Sequence, residues 1–126
     1  MVSAVRGYQI NTAVFLLLSA GHTQLAREWT SDAQFKSLPK TVQAYARAGW
    51  YQGSVFFIIM SLVNYRWSKT NVGTLIDPID KGIAALNILL LWASALWYRK
   101  NGIKQATAAV GVSGLLQAYA AFVAKN

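Results

Sequence analysis

The chain has 126 residues, of which 55% are hydrophobic and 13% are charged, with a formal net charge of +8. An ordinary soluble domain is about a quarter charged, so this composition predicts a single domain surrounded by lipid. The lack of cysteine excludes disulfides and thiolate metal sites. One histidine and four acidic residues argue against a metal centre, so we expect neither a metal nor an organic cofactor.

The first two apolar stretches cover about residues 8–27 and 46–66, close to the ~20 residues that a helix needs to cross a bilayer. The linker between them is long enough for a short helix at the membrane surface, and Ser37-Leu38-Pro39 predicts the start of the next long helix. Aromatic and cationic side chains, which settle at the level of lipid headgroups, lie near the ends of the second stretch. They are Trp50, Tyr51, Tyr65, Arg66 and Trp67.

The third stretch, residues 79–98, is preceded by Asp77-Pro78, a helix cap followed by a proline at the first helical position. Asn101-Gly102 predicts a turn into the fourth stretch, residues 105–124. Four spans place both termini on the same side of the membrane. The sequence therefore predicts an all-α fold, an integral membrane four-helix bundle that forms one four-span domain over residues 1–126.

The 12 lysine and arginine residues are scattered between the apolar stretches instead of forming a stripe. Such a placement fits lipid headgroups better than the phosphates of a nucleic acid. We therefore expect the lipid bilayer as a partner and no nucleic acid. A multi-pass location is predicted, in the endoplasmic reticulum if the host is eukaryotic.

Polar side chains inside the spans are expected to turn toward the interior, because hydrocarbon offers them no partner. Their depth predicts two polar layers. One, near the termini, contains Asn11, Asn64, Asp80, Asn87 and Gln117. The other, near the first linker, contains His22, Tyr51, Gln52 and Ser94, with Glu28 and Arg47 at its rim. Trp92 lies mid-span and is expected either to line a cavity or to face lipid. The candidate substrate-binding residues are Asn11, Tyr51, Gln52, Asn64, Asn87, Trp92 and Gln117.

Three residues are candidates for acid/base catalysis: His22, Glu28 and Asp80. His22 can gain or lose a proton near neutral pH. Glu28 lies six residues further on, about 120° around the helix, so the two can pair only if the helix ends between them. Each has a structural alternative: His22 as a hydrogen-bonded packing residue, Glu28 in the headgroups, and Asp80 as a helix-capping acid.

Gly21-His22-Thr23, followed by Trp29, Phe35, Leu38-Pro39 and the segment from Ala48 to Gly53, resembles small four-helix membrane proteins of fungal biosynthetic pathways. The general outline is also similar to DoxX-like four-helix proteins. The first resemblance implies opening of epoxides or cyclisation of lipophilic polyketide or terpenoid intermediates. It assigns no catalytic residue.

The first functional hypothesis is a membrane-embedded enzyme, a hydrolase, cyclase or isomerase that acts on a lipophilic small molecule by acid/base chemistry. It competes with two others. One is a non-catalytic bundle that serves as a partner subunit or chaperone. The other is a small transporter or lipid-binding protein, for which assembly into homo-oligomers is expected.

Overall fold

The computed structural model describes residues 1–125, and every regular element in that range is helical, which confirms the all-α prediction. The helices are α1 (Ala4–Ser31), α2 (Ala33–Ser37), α3 (Lys40–Thr70), α4 (Pro78–Lys100) and α5 (Lys104–Ala118). α5 continues as a π-helical turn over Tyr119–Val123. The short helix that was predicted in the first linker is observed as α2. The first three predicted spans lie inside α1, α3 and α4. The fourth covers nearly the same residues as α5 and the π turn together.

Local signals set the helix ends. Asp77 begins α4 by accepting hydrogen bonds at Oδ1 from the backbone N–H groups of Ile79 (2.8 Å) and Asp80 (3.1 Å). Asp32 caps α2 in the same way, through the N–H of Gln34 at 2.7 Å. Gly102 follows α4 with φ +75°, a conformation that side chains other than glycine rarely adopt. These caps explain why the predicted starts and turns agree with the structure.

α1 and α3 pack together along their length, held by hydroxyl-to-backbone hydrogen bonds between the two helices. Ser19 donates to the carbonyl of Ser54 and Ser61 donates to the carbonyl of Thr12, each at 2.8 Å. α4 and α5 form the second close pair. α1 also contacts α5 and the π turn, whereas α3 reaches α4 and α5 mainly through side chains.

The start of α1 and the π turn lie at the same end of the molecule. The hydroxyl of Tyr119 donates to the carbonyl of Val2 at 2.9 Å. Gly7 faces Ala120 so closely that a Cβ on Gly7 would be 2.8 Å from the Ala120 Cβ. The lack of a side chain at Gly7 therefore lets α1 approach the π turn.

Two apolar clusters fill the interior. One, at the end near the termini, contains Tyr8, Trp67, Leu75 and several alanines. The other, at mid-height, contains Phe15, Phe57, Met60, Leu91 and Val110. Between and beside them lie polar side chains that are as well buried as the apolar ones, among them three asparagines and a glutamine with 0–2% exposure.

Large apolar side chains cover the outside of all four long helices. Leu17 is 72% exposed, Leu62 64%, Leu86 70% and Leu115 60%. In the range the structure describes, two helical segments are long and apolar enough to cross a membrane: α4, and α5 together with its π turn. Only 28% and 33% of their most apolar windows are buried inside the protein. Large apolar side chains therefore lie on the outer surface as well as in the interior.

Candidate functional site

His22 lies in a niche between α1 and α3. Its ring stacks on Trp50, with the ring centroids 3.9 Å apart and the planes 8° from parallel, and meets Phe57 edge-on at 5.5 Å. Gly53 creates the space, because a Cβ there would be 2.9 Å from His22 Cε1. The indole N–H of Trp50 donates to the His22 carbonyl at 2.6 Å. Both aromatic contacts of the imidazole, with Trp50 and with Phe57, therefore come from α3.

Two hydroxyl groups form a hydrogen-bonded chain with the imidazole. Thr23 Oγ1 donates to Ser54 Oγ at 2.9 Å, and Ser54 Oγ lies 3.0 Å from His22 Nδ1. Whether Ser54 Oγ or His22 Nδ1 is the donor, Nδ1 has a hydrogen-bond partner. Within residues 1–125, Nε2 has no hydrogen-bond partner, and it is not among the fully enclosed polar atoms. Nε2 is thus the imidazole nitrogen that the described part of the chain leaves unpaired.

The other two candidate catalytic residues lie elsewhere. α1 remains helical to Ser31, so Glu28 projects from a different side of the helix than His22 and does not pair with it. Glu28 is exposed and lies in a surface groove of about 570 Å³ that it shares with Trp29, Asp32, Gln34, Phe35 and Leu38. Asp80 is half-buried at the start of α4, in the half of the molecule that contains the termini. The structure therefore does not bring His22, Glu28 and Asp80 into one site.

Tyr51 and Gln52 point away from His22, although they neighbour its partner Trp50 in sequence. Both are exposed, and they line a shallow outward groove of about 480 Å³ on α3 with Ala48, Val55, Phe56 and Ile59. Successive helix residues differ by about 100° in direction, so a face that presents Trp50, Ser54 and Phe57 to α1 turns Tyr51 and Gln52 outward.

Four carboxamide side chains, one from each long helix, meet in the interior. We call Asn11, Asn64, Asn87 and Gln117 the amide layer; their exposures are 0%, 0%, 2% and 0%. Gln117 Oε1 accepts from Asn64 Nδ2 at 2.8 Å and from Asn87 Nδ2 at 3.4 Å. Asn11 Nδ2 donates to the carbonyl of Leu116 at 3.4 Å. The structure brings together these four predicted residues; Asp80 is not hydrogen-bonded to them.

Trp92 packs over Gly114, where α4 and α5 meet, and is 39% exposed. Its indole fills the space that a side chain at position 114 would occupy. Ser54 and Thr23, the hydroxyl groups beside the His22 ring, were not predicted from the sequence. The Gly53-Ser54 pair in the middle of an apolar stretch was the available signal, since small residues mark close helix contacts.

No family model, curated protein or solved structure matches this chain.

Proposed function

We propose that the chain is a multi-pass integral membrane protein in which α1, α3, α4 and α5 form a four-helix bundle with both termini on one side. Its inverted polarity supports this: carboxamides lie inside, while leucines on all four helices face outward with exposures of 60–72% among the examples above. In water, such a surface would be an aggregation hazard. In lipid, the same surface is solvated, and Gln117 joins Asn64 and Asn87 by hydrogen bonds between helices.

A topology experiment tests this proposal directly, because the chain has no native cysteine. In proteoliposomes, we expect Gln34→Cys and Asn101→Cys to react with a membrane-impermeant maleimide from one side, and Val2→Cys and Val72→Cys from the other. Leu86→Cys is the discriminating control: its position is 70% exposed but faces lipid in the proposal, so it should stay unlabelled. Rapid labelling of Leu86→Cys, or of Gln34→Cys and Val72→Cys from the same side, would contradict the bundle.

We further propose that the protein is an enzyme that acts on a lipophilic small molecule by acid/base chemistry at His22. The free Nε2, with Nδ1 held by Ser54, is the observation that supports this best. Hydrogen bonding at Nδ1 fixes the ring, so that one nitrogen alone loses and regains the proton. Trp50 and Phe57 pack against the imidazole and give it an apolar setting.

Epoxide opening illustrates the chemistry that this arrangement can perform. Protonated His22 gives its Nε2 proton to the epoxide oxygen as the carbon–oxygen bond breaks. Water, or a hydroxyl of the same substrate, attacks the carbon and returns its proton to Nε2. The first case is hydrolysis and the second is cyclisation, and neither consumes a cofactor. The protein would perform this chemistry in the endoplasmic reticulum membrane if its host is eukaryotic.

The enzymatic proposal predicts that His22→Gln lowers turnover of the substrate about 100-fold, the low end of what a positioned acid/base contributes. Ser54→Ala should lower it about 10-fold, because the ring loses its orientation. The assay is product formation from a panel of lipophilic epoxides by protein in lipid nanodiscs, followed by mass spectrometry. Gln24→Ala, an exposed change on the same helix, is the matched control. Equal turnover by wild type and His22→Gln would refute the role of His22.

A non-catalytic role is the second candidate, as a partner subunit, a chaperone, or a small ligand-binding or transport protein. The groove on α3 that carries Tyr51 and Gln52 favours it, because an exposed glutamine on a lipid-facing surface can hydrogen-bond to another membrane helix, including that of a second copy. Complete inactivity of a correctly inserted protein on the epoxide panel would favour this candidate over the enzyme.

A further inference from the structure

The amide layer contains polar atoms that no group within residues 1–125 satisfies. Asn11 Oδ1, Asn64 Oδ1, Asn87 Oδ1 and Gln117 Nε2 are fully enclosed and have no hydrogen-bond partner in that range. Leaving a buried polar group unpaired costs about 1–3 kcal/mol, so such groups in folded proteins are normally paired with something. Three of the four belong to side chains joined through Gln117, and the fourth belongs to Asn11, which contacts the neighbouring Leu116 carbonyl, so together they point to a ligand.

Exchanging the nitrogen and oxygen of an amide does not remove these unpaired atoms. Asn64 Nδ2 donates to the carbonyl of Met60 at 2.9 Å, and a carbonyl can only accept, so the orientation of Asn64 is fixed. Gln117 Oε1 must then face Asn64 Nδ2, because a reversed Gln117 would set two NH₂ groups against each other. Asn87 and Asn11 are oriented by their own acceptors, Gln117 Oε1 and the Leu116 carbonyl.

Three acceptors and one donor define the chemistry of the ligand. A cation or ammonium group would bind the three oxygens but would face the N–H₂ of Gln117. A carboxylate or ketone would accept from Gln117 but would face the three oxygens. An O–H group both donates and accepts: an alcohol can pair with the Gln117 N–H₂ and one of the oxygens, and a water with the N–H₂ and two of them.

We propose that the amide layer is a binding site for an O–H group, supplied either by an internal water molecule or by the hydroxyl end of a lipophilic alcohol. A buried water typically makes about three hydrogen bonds to otherwise unpaired groups, which suits this site. The hydroxyl end of a lipophilic alcohol offers the same donor and acceptor, so the experiment below distinguishes the two sources. The site is independent of the chemistry proposed at His22.

Nuclear magnetic resonance of protein labelled with ¹⁵N in its asparagine and glutamine side chains, in deuterated detergent, tests the proposal. We expect the Gln117 NH₂ protons to show direct cross-relaxation with a bound hydroxyl, with opposite signs in the laboratory and rotating frames. The exposed amides of Gln24 and Gln105 serve as controls for ordinary exchange. Decanol is then added as the probe alcohol.

The two sources give different results. A bound water gives cross-relaxation at the water frequency that decanol does not change. An alcohol site gives decanol-dependent shifts confined to the four amides, with cross-relaxation to the decanol chain. In either case, Asn87→Leu should reduce the signal at Gln117, while the spectrum of the other amides reports that the variant is folded. Wild-type protein in which the Gln117 NH₂ shows neither water cross-relaxation nor a response to decanol would overturn the inference.

Discussion

Gln117→Ala is expected to lower the free energy of unfolding by about 4 kcal/mol, the largest loss that we predict for a single polar residue here. Gln117 Oε1 accepts hydrogen bonds from both Asn64 and Asn87, so its removal leaves two enclosed NH₂ groups with weaker or no partners. The truncation also opens a cavity at a position with 0% exposure. Hydrogen bonds between membrane helices contribute only about 0.6 kcal/mol each on average, so the cavity and the orphaned groups dominate the loss.

The measurement is reversible unfolding in bicelles or mixed micelles. Gln105→Ala makes the same chemical change at an exposed position on α5 and should alter stability by no more than about 0.5 kcal/mol. Gln117→Leu, which restores most of the volume without the polar group, should recover part of the loss. A loss below about 1 kcal/mol for Gln117→Ala would show that the amide layer contributes little to the packing of the four helices.

Gly7→Val is the second large effect, an expected loss of about 3 kcal/mol. A Cβ at Gly7 would lie 2.8 Å from the Ala120 Cβ and 3.4 Å from its backbone Cα. Neither atom can move without displacing the π turn Tyr119–Val123, which closes the end of the molecule near the termini. The helices must therefore separate, and the buried contact of Tyr8 with Trp67 beside them is loosened.

Gly21→Val on the same helix is the matched control, because a Cβ at Gly21 meets no atom within 4 Å. Valine has a slightly better helix propensity than glycine, so this variant should be neutral or gain a few tenths of a kcal/mol. Equal stabilities of Gly7→Val and Gly21→Val in thermal unfolding would mean that α1 does not need its close approach to the π turn.

The sequence predicted how deep each polar residue lies along its helix much better than it predicted which side of the helix that residue faces. Asn11, Asn64, Asn87 and Gln117 were predicted to share a layer because each lies at a similar distance from a helix end, and the structure places them together. Their role in binding a substrate stays a prediction. Tyr51 and Gln52 were assigned to the same layer as His22 by depth alone, yet both face outward.

The partners of His22 show why direction was harder to predict. In a stretch where most residues are apolar on every side, hydrophobic periodicity gives little indication of which face of α3 turns inward. The rotation of α3 depends on contacts with α1: the space at Gly53, the Trp50 ring on the imidazole and the Ser54 hydroxyl at Nδ1. Such contacts join residues about 30 positions apart: Gly53 and Ser54 mark a close helix contact, but nothing near them in the chain identifies His22 as the partner.

By itself, the sequence determined the helical class, the starts of α3 and α4, the turn between α4 and α5, and the presence of polar groups at two depths. Caps and turns such as Asp77-Pro78 and Asn101-Gly102 act within one helical turn, so they can be identified without the rest of the fold. Only the tertiary structure decided that His22 pairs with Ser54 instead of Glu28, and that Gln117 joins Asn64 and Asn87. Those pairings depend on how each helix is rotated against its neighbours, and that rotation is set by packing between distant parts of the chain.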